Sequence, residues 1–176
     1  KKNFRQLTPL EENLVSPDGT VYERFEIHNY SYDPTMAPPG KTCLVTNFYT
    51  SKADYWIDHR KKNRTDYRAL KSEFLNKCAA IVCKKLDLLP EDIEVMDLST
   101  PATFHRYTGN WKGSTQGWLA GKNLLAPSPV KLRVPGLDNM FLCSHWNQPG
   151  GGLPIAIKTG RDLAMLLCKE NGVRFK

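Results

Sequence analysis

Three consecutive glycines, Gly150, Gly151 and Gly152, followed by Leu153 and Pro154, are the residues whose type and spacing point most directly to chemistry. Glycine lets a ligand reach the main chain without meeting a Cβ. If a helix starts there, its first amide groups lack intrahelical partners and its dipole places positive potential at the same end. A phosphate or another anionic atom is then favoured. The same residues are also consistent with a mobile loop or with a turn that packing demands. The next glycine is Gly160, so GxGxxG and Walker A patterns are both absent and a complete dinucleotide site cannot be written from this chain. Gly160 reads as a place where the helix packs closely on its sheet.

Other reactive residues give weaker patterns. Ser144 and His145 are adjacent in sequence, which does not aim their side chains at one another, and no Ser-His-Asp arrangement follows. His28, His59, His105 and His145 lack metal-ligand spacing, so no metal site is expected. His105 reads as a loop hydrogen-bonding residue, and Trp111, Trp118 and Trp146 as packing residues. Cys43, Cys78, Cys83, Cys143 and Cys168 are odd in number, form no CxxC pair and lie in apolar runs, which suits reduced, buried thiols. Cys78 and Cys83 fall on different faces of any helix, which argues against a shared metal. The tripeptides beginning at Asn29 and Asn63 match the glycosylation acceptor at chance frequency.

The elements that must hold the glycines are a strand before them and a helix after. Met140 to Ser144 is apolar on both faces, the pattern of a central parallel strand. Ile155 to Asn171 reads as a helix, with Pro154 suited to its first position and Gly172 to its left-handed stop. Upstream, alternation around the Ser16-Pro17-Asp18-Gly19 turn, and again over Phe25–Tyr32 and Thr42–Tyr49, predicts hairpins or a meander covering about residues 4 to 50. Tyr67, Leu70, Phe74, Cys78, Ile81, Val82 and Leu86 then form one stripe, predicting an amphipathic helix from about Thr65 to Lys85, stopped at Leu89-Pro90. Ile93 to Leu98 reads as a short strand. Gly109, Gly113, Gly117 and Gly121 recur every fourth residue, but glycine costs a helix about 1 kcal/mol each. Residues Thr103 to Gly121 are therefore expected to form a long, aromatic-bearing functional loop.

A chain of 176 residues with 40% hydrophobic residues and ordinary Gly and Pro content is globular, which excludes collagenous and low-complexity classes. No apolar run approaches the roughly 18 residues of a bilayer span, and the N-terminus shows no apolar leader. The expected location is cytoplasmic. The net charge of +7 is densest at Arg60-Lys61-Lys62-Asn63-Arg64, with Arg68 and Lys71 following. A solvated face is the plainest reading of that run, and an anionic membrane surface is the next. No helix-turn-helix, zinc-finger or RRM pattern accompanies it, so a nucleic-acid partner is not expected.

Two blocks of residues resemble a known family. Thr100-Pro-Ala-Thr-Phe-His-Arg-Tyr-Thr-Gly109 with Gly113-Ser-Thr-Gln-Gly-Trp118 is the first, and Gly136-Leu-Asp-Asn-Met-Phe-Leu-Cys-Ser144 with Gly150-Gly-Gly-Leu-Pro154 and Thr159-Gly-Arg161 the second. In this order they are similar to the C-terminal region of the FAD-dependent phytoene desaturase, carotenoid isomerase and retinol saturase group. The resemblance covers residues 93 to 170 well and residues 1 to 92 more loosely. It implies an α+β chain: a β-sheet with a long amphipathic helix from a substrate domain, plus the terminal strand, glycine loop and helix of an FAD-binding α/β domain. Residues 1–121 would belong to the substrate domain, 122–136 to a linker and 137–176 to the cofactor domain, whose ADP-binding GxGxxG part is absent here.

By the same resemblance, Ser144, His145, Trp146, Gly150, Gly151, Gly152, Leu153, Pro154 and Ile155 would contact FAD. Phe104, Tyr107, Thr108, Gln116, Gly117 and Trp118 would form the loop closing a substrate tunnel. No catalytic residue is implied, because the flavin supplies the chemistry. The implied reaction is desaturation, saturation or isomerisation of carbon–carbon bonds in an apolar polyene or isoprenoid. His145-Trp146-Asn147 departs from the smaller residues common before the loop, which leaves the substrate open. The chain is expected to be part of a longer enzyme, binding FAD weakly or not at all by itself, with self-association and peripheral membrane contact left open. The alternative is a non-catalytic basic α+β module that binds an anionic partner.

Overall fold

The computed structural model describes residues 4–117 and 130–175, and the chain divides into two units, residues 1–113 and 114–176. The first is a small antiparallel sheet covered by helices. Its strands β1 (Phe4–Val15), β2 (Val21–Asn29) and β3 (Leu44–Val45) lie in the order β1-β2-β3, both pairings antiparallel. The turn between β1 and β2 falls where Pro17, Asp18 and Gly19 predict it. Asp18 fixes it from within, accepting hydrogen bonds from Ser16 Oγ at 2.5 Å, Thr20 N at 2.9 Å, Thr50 Oγ1 at 2.7 Å and Trp56 Nε1 at 2.8 Å. A register shift between Pro9 and Leu14 bends β1, and the Thr42–Tyr49 alternation yields only the two-residue β3.

Helix α1 (Ala53–Lys62) and helix α2 (Arg64–Leu86) follow, separated by a single extended residue. That residue, Asn63, ends α1 and caps α2, its side chain accepting the Asp66 N–H at 3.1 Å. Tyr67, Phe74, Cys78 and Val82 form the buried stripe of α2, and Asp87 stops it in the left-handed conformation. Phe74, Cys78 and Val82 meet Leu14, Phe25 and Ile27 of the sheet, with the Phe48 ring 5.5 Å from both Phe25 and Phe74. Phe25 is completely buried, worth about 2–3 kcal/mol in area removed from water.

The stretch expected to be a loop from Thr103 opens instead within helix α3 (Pro101–Thr108), followed by a 3-10 turn at Trp111–Gly113. The reason is local. Pro101 occupies the first helical position, Thr103 Oγ1 accepts the Thr100 N–H at 3.2 Å, and Gly109 closes the helix at φ 70°. The glycine series therefore begins only where the helix ends. Trp56, Tyr67 and Ala102 pack α1, α2 and α3 into a second buried cluster, where Tyr67 Oη lies 2.6 Å from Thr100 Oγ1. Ile93 to Leu98 forms no strand, since the Ile93 amide turns back to the Pro90 carbonyl.

The second unit holds a short hairpin and helix α4 (Gly152–Glu170). Among the described residues Met140 to Ser144 is not a central parallel strand: its one rung there pairs Phe141 antiparallel with Arg133, supported by Leu142 N–H to Leu132 O at 2.7 Å and Val134 N–H to Met140 O at 3.0 Å. Among the described residues of this unit no apolar side chain is fully buried. Its buried positions are Asn147, Gly151 and Thr159.

Candidate functional site

Polar anchors fix the turn that leads into the glycine loop. Asn147, 3% exposed, accepts the Ser144 N–H at 2.7 Å through Oδ1 and donates through Nδ2 to the Leu142 carbonyl at 3.0 Å. Its own carbonyl accepts the Val130 N–H at 2.9 Å. Ser144 Oγ accepts the Trp146 N–H at 3.0 Å. From the other side Thr159, 1% exposed, directs its hydroxyl toward the Ser144 carbonyl at 3.2 Å and the Ile155 carbonyl of its own helix at 2.9 Å. Residues 144–147 are thereby tied to α4 through polar groups. At Gly160 an added Cβ would make only an ordinary contact, 3.9 Å from Cys143 Sγ, so the close packing expected of that glycine is not required there.

The three glycines do different work. All have positive φ, at 88°, 53° and 75°. At Gly150 a Cβ would meet nothing within 4 Å, so this residue presents open main chain. At Gly151 a Cβ would lie 2.5 Å from the Gly117 nitrogen and 2.7 Å from its Cα. The reciprocal Cβ on Gly117 would lie 2.7 Å from Gly151 Cα and 3.2 Å from the His145 carbonyl oxygen. Two glycine backbones cross in contact, which no side-chain-bearing residue could permit at either place. Gly152 begins α4, and its N–H donates to His145 Nδ1 at 3.4 Å.

Apart from the long bond from the Gly152 N–H to His145 Nδ1, no side chain caps α4, and Gly151 at the capping position brings none of its own. The first-turn amides and the positive end of a 19-residue helix dipole are thus not neutralised by a protein carboxylate. Leu153 and Ile157, 78% and 72% exposed, flank that end. The arrangement can receive an anionic group beside an apolar surface.

The structure brings Ser144, His145, Trp146, Gln116, Gly117, Gly150, Gly151, Gly152, Leu153, Pro154 and Ile155 into one unit. Phe104, Tyr107 and Thr108 lie on α3 in the other. There Tyr107 is 75% exposed, with the Arg106 guanidinium 5.1 Å from its ring centre, whereas Thr108 Oγ1 donates to the Phe104 carbonyl at 2.8 Å and accepts the Asn110 N–H. Thr108 finishes its helix. Trp118 lies outside the described residues. Sequence reasoning missed Asn147 and Thr159, the two buried polar anchors. A threonine within an apolar helical stripe and an asparagine three residues after Ser144 are the signals available for them. Among the described residues, no cluster of three or more His, Cys, Asp or Glu side chains is placed to hold a metal ion.

Against known proteins, the chain is 25% identical over 166 residues to 4,4'-diaponeurosporene oxygenase of Staphylococcus haemolyticus, a match covering 93% of this chain and 30% of that protein. It is 29% identical over 132 residues to all-trans-retinol 13,14-reductase of Danio rerio, covering 68% of this chain and 22% of that protein. The chain therefore spans less than a third of the length of these curated relatives. No family model and no solved structure matches it. At low identity, the chain is similar to oxidoreductases named for a carotenoid and for retinol.

Proposed function

We propose that this chain is part of an FAD-dependent oxidoreductase of the phytoene desaturase type, acting on carbon–carbon bonds of an apolar polyene or isoprenoid. The observation that carries the reading is the glycine loop: open main chain at Gly150, leading into a helix N-terminus that carries no acidic side chain and only the long His145 bond to the Gly152 N–H. The donor set suits the pyrophosphate or another anionic part of FAD, because it offers main-chain N–H groups and a helix dipole in place of acidic side chains. Gly150 and Leu153 would hold that part of the cofactor by their main chain. Bound FAD would supply hydride transfer, and no general acid or base is required of this segment.

Within this reading the remaining residues act by position. Asn147 and Thr159 hold the turn at Ser144 against α4, while Gly117 and Gly151 fix the loop's other side. His145 accepts the Gly152 N–H, which leaves its Nε2 as the second polar atom of the ring. Leu153 and Ile157 offer an apolar surface suited to a hydrocarbon substrate or to the rest of a larger fold. The two relatives named for polyene compounds agree with the substrate class. Desaturation, saturation and isomerisation all remain within the proposal.

The test is the visible spectrum of the full-length enzyme that contains this chain, purified and incubated with excess FAD. Retained flavin absorbance is expected after removal of free cofactor. A full-length protein that stays colourless through reconstitution would overturn the proposal in favour of a non-catalytic basic module.

A further inference from the structure

The ion pairs of α2 divide its positive charge into two classes. Lys71 pairs with Asp97 at 2.9 Å, Lys77 with Glu73 at 2.7 Å and Lys84 with Glu11 at 2.5 Å, and Lys85 Nζ donates to the Pro9 carbonyl. At the elbow between α1 and α2 the pattern reverses. Among the described residues Arg60, Lys61, Lys62, Arg64 and Arg68 have no ion pair, and all but the half-exposed Arg60 are exposed. The two carboxylates there are Asp58 and Asp66, and Asp66 is engaged by His59 at 2.6 Å. Five cations thus crowd into nine residues around a one-residue bend.

The chemistry of the elbow narrows its partner. From Asp58 to Arg68 no aromatic or aliphatic side chain is exposed beyond the polar ones: Tyr67 is buried, and Tyr55 just before the elbow stacks on His59. A protein interface needs a desolvated apolar centre, and single-stranded nucleic acid is held by stacking on aromatic rings. Neither feature is present. A lipid headgroup surface demands neither, because it attracts exposed cations through its potential without shape matching. We infer that the α1–α2 elbow docks on an anionic lipid surface through Arg60, Lys61, Lys62, Arg64 and Arg68. The inference stands on charge and exposure and does not depend on the flavin reading.

The test is co-sedimentation of the protein with phosphatidylcholine vesicles, with and without about a third phosphatidylserine. Two variants of equal net charge are compared: Lys61→Gln/Lys62→Gln/Arg64→Gln at the elbow, and Lys71→Gln/Lys77→Gln/Lys84→Gln among the paired lysines. Far-ultraviolet circular dichroism confirms that each is folded. Binding is expected only with phosphatidylserine, falling about a hundredfold in the elbow variant, at about fivefold per cation, and only a few-fold in the other. Equal loss in both variants, or binding to phosphatidylcholine alone, overturns the inference. So does a single-stranded RNA oligonucleotide that binds more tightly than the vesicles at equal salt and is lost in the elbow variant. Flavin content is read separately on the same preparations, so failure here leaves the cofactor reading standing.

Discussion

Replacing Gly151 with alanine tests the division of labour within the glycine loop. The added Cβ falls 2.5 Å from the Gly117 nitrogen, about 0.9 Å short of ordinary contact, and the obstacle is main chain that cannot rotate away. The backbone at Gly151, φ 53° and ψ −151°, is also one that side-chain-bearing residues avoid, at a cost on the order of 1–3 kcal/mol. Together these give about 3 kcal/mol or more. For a chain of this size that is a fall of roughly 6–12 °C in Tm. Gly150→Ala is the matched control, since its Cβ meets nothing within 4 Å and only its φ of 88° is penalised. It should cost about 1–2 kcal/mol. Thermal melts followed by circular dichroism, with Gly117→Ala and the Gly117→Ala/Gly151→Ala pair completing a cycle, should show Gly151→Ala the more damaging and the pair strongly non-additive. Equal melting of Gly150→Ala and Gly151→Ala, or simple additivity of the pair, would refute the backbone crossing.

Other expectations follow from the first unit and from the thiols of both units. Burial works against ionisation of Asp18, yet the hydrogen bonds from Ser16, Thr20 and Thr50 outweigh it and bring its carboxyl from about 3.8 to about 2. The folded state thus favours the ionised form: its contribution, about 1–2 kcal/mol with screening allowed for, is present above about pH 4 and is lost as pH falls toward 2. Urea midpoints measured across that window should decline in the native protein and less so in Asp18→Asn, which should itself be destabilised at neutral pH; parallel curves would contradict the role given to this carboxylate. Gly113→Ala would put a Cβ 2.2 Å from the Pro101 carbonyl oxygen and should lower stability by about 3 kcal/mol, read from the same midpoints. An unchanged midpoint would show that the 3-10 turn is not seated on α3. Burial pushes the Cys78 thiol up to about 12, so in the native protein a thiol reagent should modify exposed Cys143 well before Cys78, as peptide mapping would show.

What could be read from the sequence was what carried local signals. The Ser16–Gly19 turn, the stripe from Tyr67 to Val82 and the glycine-to-helix junction at Gly152 all satisfy their own neighbours before any tertiary contact forms. Helix α1 escaped because only Ala53 and Trp56 are buried on it and its last turn is basic, so the residues read as an approach to α2. The expected strand at Met140–Ser144 failed for another reason. An apolar run reports burial or its potential, but not which strand lies beside it. Helix α3 was hidden by the glycine repeat, although Thr100, Pro101 and Gly109 mark its two ends. The meeting of Gly117 with Gly151, 34 positions apart, depends on chain folding alone, as does the bond from Thr159 to the Ser144 carbonyl. Asn147, by contrast, bonds Ser144 and Leu142 only three and five positions back, a local signal that sequence reasoning missed.

The charge at the start of α4 offers the most direct test of the proposed site. Leu153 is 78% exposed, so Leu153→Asp removes little packing and adds a carboxylate where the helix dipole welcomes one, by about 0.3–1 kcal/mol. The same carboxylate would repel a bound phosphate by on the order of 1–2 kcal/mol. FAD affinity of the full-length enzyme, measured by flavin fluorescence titration for the native protein and for Leu153→Asp, should therefore fall about tenfold while the Tm of this chain by itself holds or rises. Unchanged affinity with an unchanged melt would mean that the cofactor's anionic part does not sit at this helix end.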